Sequence, residues 1–423
     1  MRGELHFDAI VIGAGTAGLT AGARLAQEGA RVCVLAKGVG STHLAPATID
    51  VLGYTPERVT DPGRAVDELI AARADHPYAL IGREAVADAL RWFSDAVAAG
   101  PLPGYSYVGG LERNHLSPTA VGALRPSAMV PEMMAAGDSA GLGQVRIVGS
   151  RSIRDFHPSL CAGNLREAGI DAHPLNIELS LDRADANLLL VARRFDDPTW
   201  RAQFAAELAL ALRAESHVGL PAMLGLRDPH GVVTDLEHRL GRRVFEIPTV
   251  PPSVPGMRLY EVLRAALRAG GGRLILGAEV VRAERDGARV ASVIAEVAGG
   301  EARYVAPWVV LASGGFASGA IELDSYWETH ERVLGLPLAG LPEPGSARFL
   351  STYLDEQPMA RVGIAVDAEL RASGAENVLV AGAALPGAVP WREGSGEGIA
   401  LASGFRAAQL ISGSRSGSEA AVA

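Results

Sequence analysis

The sequence predicts an α/β fold in which a Rossmann-like nucleotide-binding domain is interrupted by a second α/β unit. A short apolar run ends in Gly13-Ala14-Gly15-Thr16-Ala17-Gly18 and passes into helical spacing, the strand, turn and helix order of a dinucleotide site. Two further apolar runs, ending at Ala312-Ser313-Gly314 and at Gly382, place glycine turns far down the chain. Between residues 105 and 247 short apolar runs alternate with helical stretches that carry no nucleotide fingerprint of their own.

In the opening element each glycine has a task. Gly13 allows the turn, Gly15 lets a phosphate approach the backbone, and Gly18 lets the helix lie close to the strand. The helix N-terminus adds free N–H groups and a partial positive charge. A second strand, Arg31 to Leu35, follows Gly29. The acidic residue that the fingerprint expects after it is missing, and Ala36 and Lys37, the only lysine in the chain, stand there instead. An adenosine ribose loses a charge-assisted hydrogen bond worth about 1.5–3 kcal/mol by that exchange, whereas Lys37 suits a phosphate. Three ligands stay open on these residues: FAD held in another way, FMN, or NADP through its extra phosphate.

Composition bounds the rest. A chain of 423 residues with 48% apolar residues has material for two or three structural units. The net charge of −9, with arginines scattered among acids, argues against a nucleic-acid partner. No apolar run is long enough for a transmembrane segment, and Met1-Arg-Gly-Glu leads straight into the first strand without a signal segment, so a cytoplasmic protein is expected. Cys33 and Cys161 are too few and too far apart for a disulfide framework or a metal cluster.

Further along, residues 38–54 form a long loop of small and hydroxyl residues containing Ser41, Thr42 and His43, and residues 83–99 an amphipathic helix. Residues 144–148 and 187–191 read as strands and 199–213 as a helix. His157 and Cys161 stand at helical spacing, a pair without further ligands. Four prolines between Ile247 and Pro255 make a stiff connection back, followed by a helix over 257–268, a strand over 273–276 and a hairpin at Asp286-Gly287. The expected division is a discontinuous flavin-binding domain, 1–104 with 248–411, an inserted unit for substrate or partner, 105–247, and a frayed tail, 412–423.

A simple NAD domain needs mainly the first glycine site, whereas glycine turns spread over the whole chain suit a flavin ring wrapped by distant backbone. The expected class is therefore a Rossmann-like FAD/NAD(P)-binding flavoprotein domain with an inserted α/β domain. The last helix carries Ile399, Ala402, Ala407 and Leu410 on its apolar face. With its start at Gly396, Glu397, Gly398 and Ile399 pointing at the flavin N1 and C2 carbonyl, its partial positive charge stabilises the reduced anionic ring. Glu397 departs from that logic, and reads as an acid that favours a helix N-terminus.

These residues resemble the B subunit of anaerobic glycerol-3-phosphate dehydrogenase, within the wider fumarate reductase and succinate dehydrogenase flavoprotein superfamily. The similarity rests on Asp75-His76-Pro77-Tyr78 through Gly82, the proline segment from Ile247 to Leu259, and Leu311 through Gly319 with Leu334-Gly335-Leu336 after it. The resemblance implies FMN as cofactor, with FAD the close alternative. It further implies a complex on the inner face of the cell membrane, in which a larger flavoprotein subunit handles sn-glycerol 3-phosphate and a membrane-anchoring iron–sulfur subunit passes electrons to quinone. Glu393 and Glu397 depart from the glycine run of that family near the C-terminus.

The expected chemistry is hydride transfer from an alcohol carbon of a small-molecule substrate to flavin N5. His43 is the candidate base, and Arg258, after the proline segment, the candidate phosphate anchor. Two alternatives stand beside this reading: a stand-alone FAD-dependent dehydrogenase or reductase of the fumarate reductase type, and a non-catalytic flavin electron relay.

Overall fold

The computed structural model describes residues 4–179, 187–352 and 354–422, with side chains as far as Arg415 in the last helix. Its central sheet has five parallel strands, in the order Arg273–Leu276, Val32–Ala36, Ala9–Ile12, Trp308–Leu311 and Val378–Val380. Ala9–Ile12 and Val32–Ala36 are buried at every position, because both faces of a parallel sheet are covered, and this is why they read as unbroken apolar runs. The helices Thr16–Gln27, Val254–Ala269 and Gly396–Val422 pack together there. Their closeness depends on small residues: a Cβ on Gly404 would fall 2.2 Å from the Ala17 carbonyl oxygen.

A second parallel sheet, Arg243–Ile247, His217–Pro221, Val145–Gly149 and Ala172–Asn176, has its own core around Phe195, Phe204, Leu208 and Phe245. An antiparallel hairpin, His115–Pro118 with Leu124–Ser127, precedes it in the chain. The connection back through the prolines ends at Ser253, whose Oγ accepts the Gly256 N–H at 3.0 Å and caps the helix Val254–Ala269. That helix begins three residues before its expected start, because proline is tolerated in a first turn.

Two expected elements differ. The run Asn187 to Val191 is not a strand: Asn187 caps a helix, Leu188–Phe195, accepting the Leu190 N–H at 2.9 Å, and a short apolar run has no periodicity to separate the two. The tail continues as helix through Val422. Ser412 hydrogen-bonds Glu28 and Arg415 lies 3.8 Å from Asp8, so the start of this segment is tied to the first βα unit.

Candidate flavin site

Because Ala9–Ile12, Trp308–Leu311 and Val378–Val380 are parallel neighbours, their C-terminal ends emerge along one edge. Gly13, the Ala312-Ser313-Gly314 turn and Gly382 therefore meet there. Gly13 has φ +113°, and a Cβ on it would fall 2.2 Å from the Ala312 carbonyl oxygen. A Cβ on Gly18 would fall 2.0 Å from the Gly13 carbonyl oxygen, so this position fixes helix against strand. A Cβ on Gly382 would lie 3.0 Å from the Ala17 Cβ, and one on Gly40 2.9 Å from the Gly15 Cα. Gly398 donates its N–H to the Asp50 carbonyl oxygen at 3.0 Å. All three turns and the loop after Ala36 thus converge on the start of Thr16–Gln27.

That start is open. No side chain caps the helix, and a Cβ on Gly15 would meet no atom within 4 Å. Thr42 Oγ1, Ser313 Oγ and Glu397 Oε2 are buried without a hydrogen-bond partner among the described residues. Free N–H groups at a helix N-terminus, open space over glycine, and orphaned polar atoms on the converging turns together fit a flavin nucleotide. Glu397 is partly buried. Burial pushes its carboxyl up to about 7 against a hydrogen bond from Thr16, with Asp50 adding to the rise and Arg125 opposing it.

Beside this edge lies a cleft of about 250 Å³, lined by Thr48, Ser117, Thr119, Arg125 and Ser127 with prolines around them. Sequence reading passed over these residues, although the alternation His115-Leu-Ser117-Pro-Thr119 marks a strand with one polar face.

Several expected site residues are placed elsewhere. Arg258 is not a phosphate anchor at an open cleft: its side chain is fully buried and paired with Glu246, from Nη1 to Oε2 at 2.6 Å and from Nη2 to Oε1 at 3.0 Å. Its Nε and Nη2 also donate to the Gly225 carbonyl at 2.9 and 2.6 Å, leaving no face for a ligand. It ties the helix Val254–Ala269 to the strand Arg243–Ile247 and to the Gly225 turn. His43 packs edge-on against Tyr260 at 4.8 Å, where burial lowers its pKa, and it does not line the cleft. Lys37 is paired with Glu279 at 3.0 Å, so its charge is engaged. Ser41 is exposed and Ala36 buried at the strand end. Cys161 donates to the Thr119 carbonyl oxygen at 3.6 Å, and burial pushes its thiol and that of Cys33 up to about 12. His157 precedes the helix Pro158–Glu167, and no group of residues suited to a metal occurs among the described residues.

The chain matches the FAD binding domain family over residues 8–399 and belongs to it, so of the ligands the sequence left open a flavin is the one it takes as cofactor. It is 31% identical to the B subunit of anaerobic glycerol-3-phosphate dehydrogenase from Pectobacterium carotovorum over 96% of this chain and 99% of that one. To the probable B subunit of the same enzyme from Halobacterium salinarum it is 32% identical over 95% and 97%. Within the flavoproteins, the chain therefore belongs to the family of anaerobic glycerol-3-phosphate dehydrogenase B subunits. Among solved structures, the FrdA chain of E. coli quinol fumarate reductase aligns with 97% of this chain and 70% of its own, at 9% identity and a TM-score of 0.45.

Proposed function

We propose that this chain is the flavin-carrying B subunit of a quinone-linked dehydrogenase that oxidises sn-glycerol 3-phosphate to glycerone phosphate. A larger flavoprotein subunit handles the substrate with it, and an iron–sulfur subunit that holds the complex at the inner face of the cell membrane passes the electrons to quinone. No helix among the described residues is long and apolar enough to cross a membrane, in keeping with attachment through partners. The observation that carries the reading is the meeting of three glycine turns at one uncapped helix start, in a chain whose relatives of this name align from end to end.

In this reading Gly13 to Gly18 receive the pyrophosphate at the helix N-terminus, Ser41 and Thr42 close over it, and Ala312 to Gly314 with Gly382 lie along the ring. Gly396 to Ile399 present the start of the last helix to the pyrimidine end. Glu279, whose Oε2 reaches Lys37 beside the end of Val32–Ala36, stands in for the acid absent at Ala36, so the flavin is FAD. A bound flavin would supply the hydride acceptor, at its N5. The protein positions the substrate carbon and excludes water from it.

The test is anaerobic mixing of the flavin-loaded chain with sn-glycerol 3-phosphate while the yellow absorbance is followed. Bleaching by the isolated chain supports a dehydrogenase. Bleaching only after addition of the larger subunit makes the chain an electron relay, and no bleaching in either case overturns the reading.

A further inference from the structure

We infer that the cleft between the hairpin His115–Ser127 and the segment Pro46–Asp50 binds a small phosphorylated polyol, its hydroxyl groups on the hairpin serines and threonine and its phosphate on Arg125. The assignment of a polyol phosphate rests on the function proposed above. The site itself rests on the geometry of the hairpin.

His115–Pro118 and Leu124–Ser127 pair antiparallel, with Ser117 opposite Arg125 and His115 opposite Ser127. Side chains alternate across a strand, so Ser117 shares one face with Arg125 and Ser127. That face lines the cleft. Ser117 is 5% and Ser127 1% exposed, and the hydroxyls of Ser117, Thr119 and Ser127 have no partner among the described residues. Buried hydroxyls are ordinarily hydrogen-bonded, so three orphans around one cavity mark a surface built for a hydrogen-bonding ligand. At roughly 30 Å³ per water, 250 Å³ holds about eight waters, the room of a three-carbon phosphate rather than of a nucleotide.

Arg125 is the one charged side chain among the described lining residues. Its Nε donates to Asp50 Oδ2 at 2.8 Å and its Nη2 bonds the same oxygen, while Nη1 has no protein partner among the described residues. Asp50 is itself buried and held by the Thr48 hydroxyl at 2.8 Å, so it orients the guanidinium toward the cleft instead of merely neutralising it. A dicarboxylate would need a second cation, which this lining lacks. One anionic end and several hydroxyl groups match it. The Asp50 carbonyl oxygen meanwhile accepts the Gly398 N–H, so the cleft adjoins the edge where the glycine turns converge.

The flavin-loaded protein, with Ser117→Ala, Ser127→Ala and Arg125→Gln variants, is titrated by calorimetry with sn-glycerol 3-phosphate, glycerol and inorganic phosphate. In parallel, flavin reduction is followed. Each serine variant is expected to weaken glycerol 3-phosphate binding about fivefold, with flavin content and visible spectrum unchanged, and Arg125→Gln about thirtyfold or more at saturating flavin. Arg125→Gln should abolish inorganic phosphate binding and leave glycerol binding as it was. Unchanged dissociation constants in all three variants, in a protein whose flavin the substrate still reduces, overturn the cleft assignment and leave the proposed function standing. Binding that the variants weaken, without flavin reduction by the isolated chain or with the larger subunit, leaves the cleft standing and overturns the function. Absence of any glycerol 3-phosphate binding to the parent protein overturns both.

Discussion

His76 Nε2 lies 3.3 Å from Glu393 Oε2, joining positions 317 residues apart in the chain. His76 Nδ1 accepts the Tyr78 N–H at 3.1 Å and caps the helix Pro77–Ile81, which leaves the ring proton on Nε2 to be donated to Glu393. Burial alone would raise the Glu393 carboxyl. The hydrogen bonds from His76 and Ser395 outweigh it and hold the group below the usual range. Arg73 and Arg361 approach its other oxygen at 3.7 and 3.9 Å, and both donate to the Gly387 carbonyl at 2.6 Å. The Asp75-His76-Pro77-Tyr78 signature and the acid near the C-terminus are thus parts of one network, buried at His76 and exposed at Asp75. Glu393 is occupied there, which answers why a carboxylate is tolerated so near the glycine turns.

Glu393→Ala leaves the buried His76 without its acceptor and takes a counter-charge from beside two arginines. A loss of about 3 kcal/mol in urea unfolding is expected, and about 1 kcal/mol for Glu393→Gln, which keeps an acceptor oxygen. Equal losses in the two variants would remove the hydrogen-bond account.

Arg258→Ala is expected to cost about 3–5 kcal/mol, because it strands Glu246 at 0% side-chain exposure. A paired replacement, Arg258→Met with Glu246→Leu, should recover most of that loss, as both charges leave together. The substrate KM of the surviving folded protein should not move. A rise in KM without loss of stability would restore Arg258 to the role of phosphate anchor.

Much of the fold was legible because its signals are local. The fingerprint needs φ above zero at Gly13 and close approach at Gly18, and only glycine supplies both, so the turn could be read without neighbours. The strand Arg273–Leu276 and the helix start of the terminal element were read for the same reason. What escaped depends on distant pairing. Nothing in the run Arg258 to Leu259 announces Glu246, nothing around Lys37 announces Glu279, and the polar face of the hairpin becomes a site only when Asp50 turns Arg125 toward it. Asn187 to Val191 failed differently, since an apolar run of four residues satisfies either periodicity.

Acid release of the bound cofactor should yield FAD. The Lys37 ammonium beside Glu279 lowers that carboxyl, and the nearby Arg332 does so too, so it is ionised at neutral pH and able to accept ribose hydroxyls. Glu279→Ala should weaken FAD binding about tenfold and leave FMN binding unchanged, because FMN has no adenosine ribose. Release of FMN from the parent protein, or equal weakening of both flavins, would exclude Glu279 as the replacement for the missing acid.

Flavin affinity is expected to depend on pH through Glu397. Its folded-state carboxyl lies at about 7, above the ordinary 4.5, so the folded protein holds a proton that the unfolded chain releases first. Stability contributed by this group is complete below pH 4.5, falls between 4.5 and 7, and is gone above 7, a swing of about 3 kcal/mol. The same proton matters to a ligand. Neutral Glu397, beside Thr16, tolerates the anionic phosphates at the neighbouring helix start, whereas the carboxylate repels them, with Asp50 adding to that repulsion and Arg125 opposing it. FAD suits the measurement, as its pyrophosphate does not titrate in this range. Apoprotein titrated with FAD should bind about tenfold tighter at pH 6 than at pH 8, and Glu397→Gln should bind equally at both. A variant that keeps the full pH dependence would place the titrating group elsewhere, and would return Glu397 to a helix-start acid without bearing on the cofactor.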